Sequence, residues 1–103
     1  MDWLRKVGID QAPETLDEMY TALWKFRHED PDGNGVKDTY GWCPNAQAWY
    51  NVFAQVFGAY GILPYDWMLK GGEVVWGGAL PESKEVLGLL RQWYAEGLID
   101  PDF

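Results

Sequence analysis

Residues 30–41 stop any helix that reaches them. The stretch reads Asp30-Pro31-Asp32-Gly33-Asn34-Gly35-Val36-Lys37-Asp38-Thr39-Tyr40-Gly41. Pro31 and Gly33 end what comes before. The oxygen-bearing side chains then fall in an alternating register at Asp30, Asp32 and Asn34. Gly35 occupies the sixth position, where a calcium loop needs a sharp turn. Val36 offers a backbone carbonyl at the seventh, and Asp38 stands at the ninth. A hard cation such as Ca²⁺ takes six to eight oxygens, and this set supplies most of them. The loop departs from the EF-hand pattern at its twelfth position, where Gly41 replaces a bidentate Glu. The pattern therefore predicts a static structural calcium site and not a sensor hand. The competing reading is an Asp/Asn/Gly-rich turn that binds no metal.

Helical signals flank the loop. Residues 2–7 read as a short helical turn closed by Gly8. Thr15-Leu16-Asp17-Glu18 is a capping box. Leu16, Met19, Tyr20, Leu23 and Trp24 recur at helical spacing, which predicts an amphipathic helix over 16–29. Beyond the loop, Trp49, Tyr50, Phe53, Val56 and Phe57 share one face of a helix expected over about 46–57. Residues 62–72, with Pro64 and Gly71-Gly72, read as irregular. Glu73-Val74-Val75-Trp76 reads as a strand bounded by glycines. Pro81 suits the first turn of a last helix whose apolar stripe is Val86, Leu89, Leu90, Trp93 and Tyr94. Gly97 suits its left-handed cap, and Pro101 stops any continuation. The expected class is α+β, mostly helical, with three main helices and a short strand or hairpin.

The 103 residues suffice for one small domain. Seven Trp and six Tyr give a load of large rings that argues against disorder. The net charge of −8 opposes non-specific contact with nucleic acid or anionic membranes and permits cation binding. Cys43 is the one cysteine and His28 the one histidine. Cys43 is expected to be a small buried or partly buried side chain, and no Cys–His pair is expected. The carboxylate pairs Glu29/Asp30 and Glu82/Glu85 sit in ordinary helical or loop contexts, so an enzyme is not expected. No apolar run follows Met1, so an export signal, if the parent has one, is expected upstream.

The loop string at 30–41 resembles the calcium loop of the lipoprotein-type extracellular solute-binding proteins of family 1, which serve ABC importers. Asp2-Trp3-Leu4-Arg5-Lys6-Val7-Gly8-Ile9 and Pro13-Glu14-Thr15-Leu16-Asp17-Glu18-Met19-Tyr20 are similar to the segment ahead of that loop. Gly72-Glu73-Val74-Val75-Trp76-Gly77, Pro81-Glu82-Ser83-Lys84-Glu85 and Tyr94-Ala95-Glu96-Gly97-Leu98-Ile99-Asp100-Pro101 are similar to the segment after it. The resemblance implies that residues 1–103 form a single fragment of one lobe of a two-lobed, periplasmic-binding-protein-like (type II) fold. It implies a parent at the cell surface or in the periplasm, a sugar or oligosaccharide as solute, and an ABC permease as partner. Asp30, Asp32, Asn34, the Val36 carbonyl and Asp38 would hold Ca²⁺. Thr39 stands where some relatives have an acidic ligand. Trp42, Asn45 and Trp49, just after the loop, are candidates for solute contact; Trp49 fits a core stripe equally well, and Trp67 and Trp76 are weaker candidates. The alternative function is a calcium-stabilised carbohydrate-binding or protein-interaction module.

Overall fold

A computed structural model describes residues 2–45, 47 and 52–103. Its elements run α1 (Asp2–Lys6), α2 (Leu16–His28), α3 (Ala54–Ala59), β1 (Trp67–Lys70), β2 (Glu73–Trp76), a 3₁₀ turn (Gly77–Ala79) and α4 (Pro81–Ala95). The expected α+β class is observed. The chain divides into two compact units. The first comprises Met1–Cys43 with Trp93–Phe103, and the second Pro44–Gln92. Among the described residues, no helix is long and apolar enough to cross a membrane.

In the first unit, α2 begins where its capping box dictates. Thr15 is extended, its hydroxyl accepts from the Glu18 amide at 3.2 Å, and the Glu18 carboxylate accepts from the Thr15 amide at 3.2 Å. Two amides that a helix start would leave unpaired are thus satisfied. Thr15→Ala should cost about 1 kcal/mol. A denaturant midpoint equal to that of the wild type would show that the cap contributes nothing.

Helix α2 buries Ala22 and Leu23, while Trp24 is 43% exposed. The predicted apolar stripe is therefore narrower than its spacing suggested. Trp24 instead leans on His28, one turn on, with ring centroids 4.4 Å apart. Val7, Pro31, Trp93, Leu98 and Ile99 complete this core. Trp42 and Ile99 form a parallel bridge: the Trp42 amide donates to the Leu98 carbonyl at 3.2 Å, and the Asp100 amide donates to the Trp42 carbonyl at 2.9 Å. Gly97, at φ 71°, caps α4 as expected.

The second unit packs Val56, Phe57, Ile62, Val86 and Leu90. Two sequence expectations change here. The helix predicted over 46–57 is described only as α3, starting at Ala54 behind Phe53, which makes no side-chain cap. Trp49 and Tyr50, predicted to share its face, lie outside the described residues. Residues 67–70, read as irregular, form β1, which pairs antiparallel with β2 in the register Trp67↔Trp76 and Lys70↔Glu73. Gly71 and Gly72 both have positive φ (60° and 83°), as the two-residue turn that suits strand twist requires. Lys70 of β1 and Glu82 of α4 form an ion pair.

Candidate metal centre

The loop at 30–41 lies wholly in the first unit. Helix α2 ends at its C-cap Glu29, and the chain turns at once: Asp30 has a φ of 51°, a left-handed conformation that non-glycine side chains rarely take. Its carboxylate offsets that cost. Oδ1 accepts from the amides of Gly33 and Asn34, both at 3.1 Å, and Oδ2 accepts from that of Gly35 at 2.8 Å. Hydrogen bonding with the Asp32 side chain, then with these amides, holds the Asp30 carboxyl below the usual carboxylate range. Gly33 and Gly35 take positive φ, as the tight turn requires.

Asn34 joins the remaining acids. Its Nδ2 donates to Asp32 Oδ2 at 2.9 Å and to Asp38 Oδ1 at 3.3 Å, while its Oδ1 accepts from the Val36 amide at 2.7 Å. The predicted ligand side chains Asp30, Asp32, Asn34 and Asp38 are thus neighbours in one hydrogen-bonded loop. Among the described residues, no three His, Cys, Asp or Glu side chains converge as a ready-made cage. The donor set is nonetheless the kind a hard cation takes, all carboxylate, amide and carbonyl oxygen with no sulfur or imidazole. The Asn34 amide N–H group, between two carboxylates, stands where positive charge is favoured.

The structure also explains why the twelfth position is glycine. A Cβ on Gly41 would stand 2.7 Å from Leu23 Cδ2 and 3.0 Å from Leu23 Cα. The chain leaves the loop pressed against the backbone of α2, so no Glu fits there. The sequence shows the missing ligand, and the packing supplies the reason.

Two of the three solute candidates, Trp42 and Asn45, lie among the described residues. Trp42 is half-buried, and its ring meets Trp93 edge-on at 6.1 Å within the first unit. Asn45, in the second unit, is exposed, and its Oδ1 accepts from the Gln47 amide at 3.0 Å. Trp49 lies outside the described residues. Cys43 is exposed, contrary to expectation. A hydrogen bond to Asp100 raises its thiol pKa, which keeps it protonated and a poor nucleophile. Two clefts that sequence reading missed open in the first unit. One, of about 480 Å³, runs beside Asp10, Glu14, Asp17 and Glu18. The other, of about 530 Å³, lies between Trp3, Leu4, Met19 and Phe26. Trp42 lines neither.

No family model matches the chain. Individual proteins do. It is 38% identical over 99% of its length to Lipoprotein LipO of Bacillus subtilis (strain 168). It is 30% identical over 99% to the Polygalacturonan/rhamnogalacturonan-binding protein YtcQ of the same organism. It is 32% identical over 98% to the Fructooligosaccharide ABC transporter substrate-binding protein FusA of Streptococcus pneumoniae serotype 4 (strain ATCC BAA-334 / TIGR4). The chain spans only about a fifth of the length of these relatives. Nearly the whole chain is therefore similar to one segment of a lipoprotein, of a polygalacturonan/rhamnogalacturonan-binding protein and of an ABC transporter substrate-binding protein.

Proposed function

We propose that the chain is part of a cell-surface or periplasmic solute-binding protein that captures a sugar or oligosaccharide for an ABC importer. In this reading it forms part of one lobe of a two-lobed, periplasmic-binding-protein-like fold, and its loop at 30–41 holds a structural Ca²⁺. The observation that carries the reading is that nearly the whole chain aligns with a segment, about a fifth, of two relatives named for carbohydrate binding. Its work is capture and delivery to a permease, without covalent chemistry. Asp30, Asp32, Asn34, the Val36 carbonyl and Asp38 would hold the ion. When bound, it would neutralise clustered carboxylates and fix the loop between α2 and the following segment.

Calcium should stabilise the protein by mass action, by about 2.7 kcal/mol at a hundredfold excess over the dissociation constant. For a domain of this size that is a rise of roughly 10 °C in Tm. Melting with calcium and with a chelator checks it, and superimposed curves would end the calcium reading. For the solute, calorimetric titration with galacturonan, rhamnogalacturonan and fructan oligosaccharides tests capture. Silence toward every glycan by the intact parent would end the sugar reading.

One observation favours the second reading, a calcium-stabilised carbohydrate-binding module. Trp67 and Trp76 face each other across the hairpin with ring centroids 5.4 Å apart, and they are 68% and 38% exposed. Exposed rings of this kind stack on sugar faces. Sugar binding by this chain alone, lost in Trp67→Ala, would favour the module over the importer component.

A further inference from the structure

Two cationic side chains grip the main chain of the 30–41 loop from outside it. Lys6 Nζ donates to the Pro31 carbonyl at 2.9 Å, and Arg27 Nη1 donates to the Lys37 carbonyl at 2.6 Å. Arg27 is itself held on two further sides. Its guanidinium lies over the Tyr40 ring, 4.9 Å from the centroid. Its flank meets Gly97, where an added Cβ would stand 3.2 Å from Arg27 Nε.

The residue gripped by Arg27 lies between two of the candidate ligands. A peptide unit is planar, so pinning the Lys37 oxygen also pins the Asp38 amide and Cα. The Asp38 carboxylate is the group that meets Asn34 Nδ2. The Val36 carbonyl, on the other side of Lys37, is the main-chain candidate.

We propose that Arg27 is a positioning residue for cation binding by the loop: by holding the Lys37 carbonyl it presets the backbone that carries Val36 and Asp38. The inference rests on the calcium reading above. A site ordered in advance does not have to be ordered when the ion arrives, and affinity gains by that amount. The alternative has the opposite sign. If Arg27 were only a positive charge near a cation site, it would repel the ion, and its removal would tighten binding.

The test is calorimetric titration of chelator-stripped protein with calcium chloride, beside melting of each variant without calcium. Arg27→Ala should weaken calcium binding about tenfold, the cost of ordering roughly one peptide unit on binding. Arg27→Lys should recover part of the loss. It keeps a donor and the charge but loses the flat group that lies on Tyr40. If Arg27→Ala proves too unstable to titrate, Tyr40→Leu, which removes only the ring beneath the guanidinium, should weaken binding severalfold. Unchanged or tighter binding in Arg27→Ala, or in Tyr40→Leu where that stands in for it, would overturn the proposal. A purely structural arginine would lower the calcium-free melting temperature and leave the affinity at the wild-type value. A wild-type titration without heat or stabilisation would overturn the calcium reading itself, and this inference with it. That result is distinct from a wild type that binds and variants that match it.

Discussion

Trp93→Ala should be the most damaging single side-chain truncation among the described residues. Trp93 is 1% exposed, with Tyr20 at 6.3 Å and Trp42 at 6.1 Å between ring centroids. Truncating a fully buried Trp costs about 3–5 kcal/mol, because lost transfer energy adds to the cost of the cavity. For a domain of this size that lowers Tm by more than about 10 °C. Trp93→Phe should cost less than half as much. The Trp93 indole N–H is buried without a hydrogen-bond partner among the described residues. Phe removes that unsatisfied donor while keeping a ring between the neighbours. Thermal melts of the two variants decide the matter. Equal losses would mean that a ring kept between Tyr20 and Trp42 contributes nothing, and a wild-type Tm for Trp93→Ala would remove Trp93 from the core.

Gly77→Ala is the second, and its mechanism is a clash with main chain. A Cβ at position 77 would lie 1.8 Å from the Leu63 carbonyl oxygen and 2.7 Å from its carbon. The glycine cannot retreat, because it is held on both sides. Its amide donates to the Asp66 carbonyl at 3.0 Å, and its own carbonyl accepts from the hydroxyl of buried Ser83 at 2.7 Å. One methyl group there forces backbone to move, at a cost of about 3 kcal/mol or more. Gly88→Ala makes the control, since nothing lies within 4 Å of a Cβ at that position in α4. Replacing a helical glycine with alanine at an open position should stabilise slightly. Denaturant midpoints that shift equally for the two variants would refute the clash.

Legibility in the sequence followed the range of the signal. The start of α2 was readable because Thr15 and Glu18 act within one turn. The start of α4 at Pro81 and its cap at Gly97 were readable for the same reason. β1 was missed although Gly71-Gly72, separating two short apolar runs, is a hairpin signal. Within the stretch 62–72, read as irregular, the same glycine pair serves equally well to end a loop before β2. The strand character of β1 comes from pairing with β2 and not from any burial alternation of its own. The exposure of Trp24 was hidden too, because helical spacing marks a face but not how much of it is covered. In the loop, the register of the oxygens is a local pattern and was legible. It carried no sign of Arg27 at the Lys37 carbonyl or of Leu23 beneath Gly41, since both depend on how α2 meets the loop.

The bridge between Trp42 and Ile99 has a consequence for how the protein is made. A ribosome delivers Trp42 long before its partner, and joining chain segments so distant carries a large closure entropy. Until Leu98, Ile99 and Asp100 have left the exit tunnel, the amide and carbonyl of Trp42 must be satisfied by water, and Trp93 has not yet reached its neighbours. Between the synthesis of Trp42 and that of Asp100 the nascent chain thus exposes aromatic surface that a chaperone could hold.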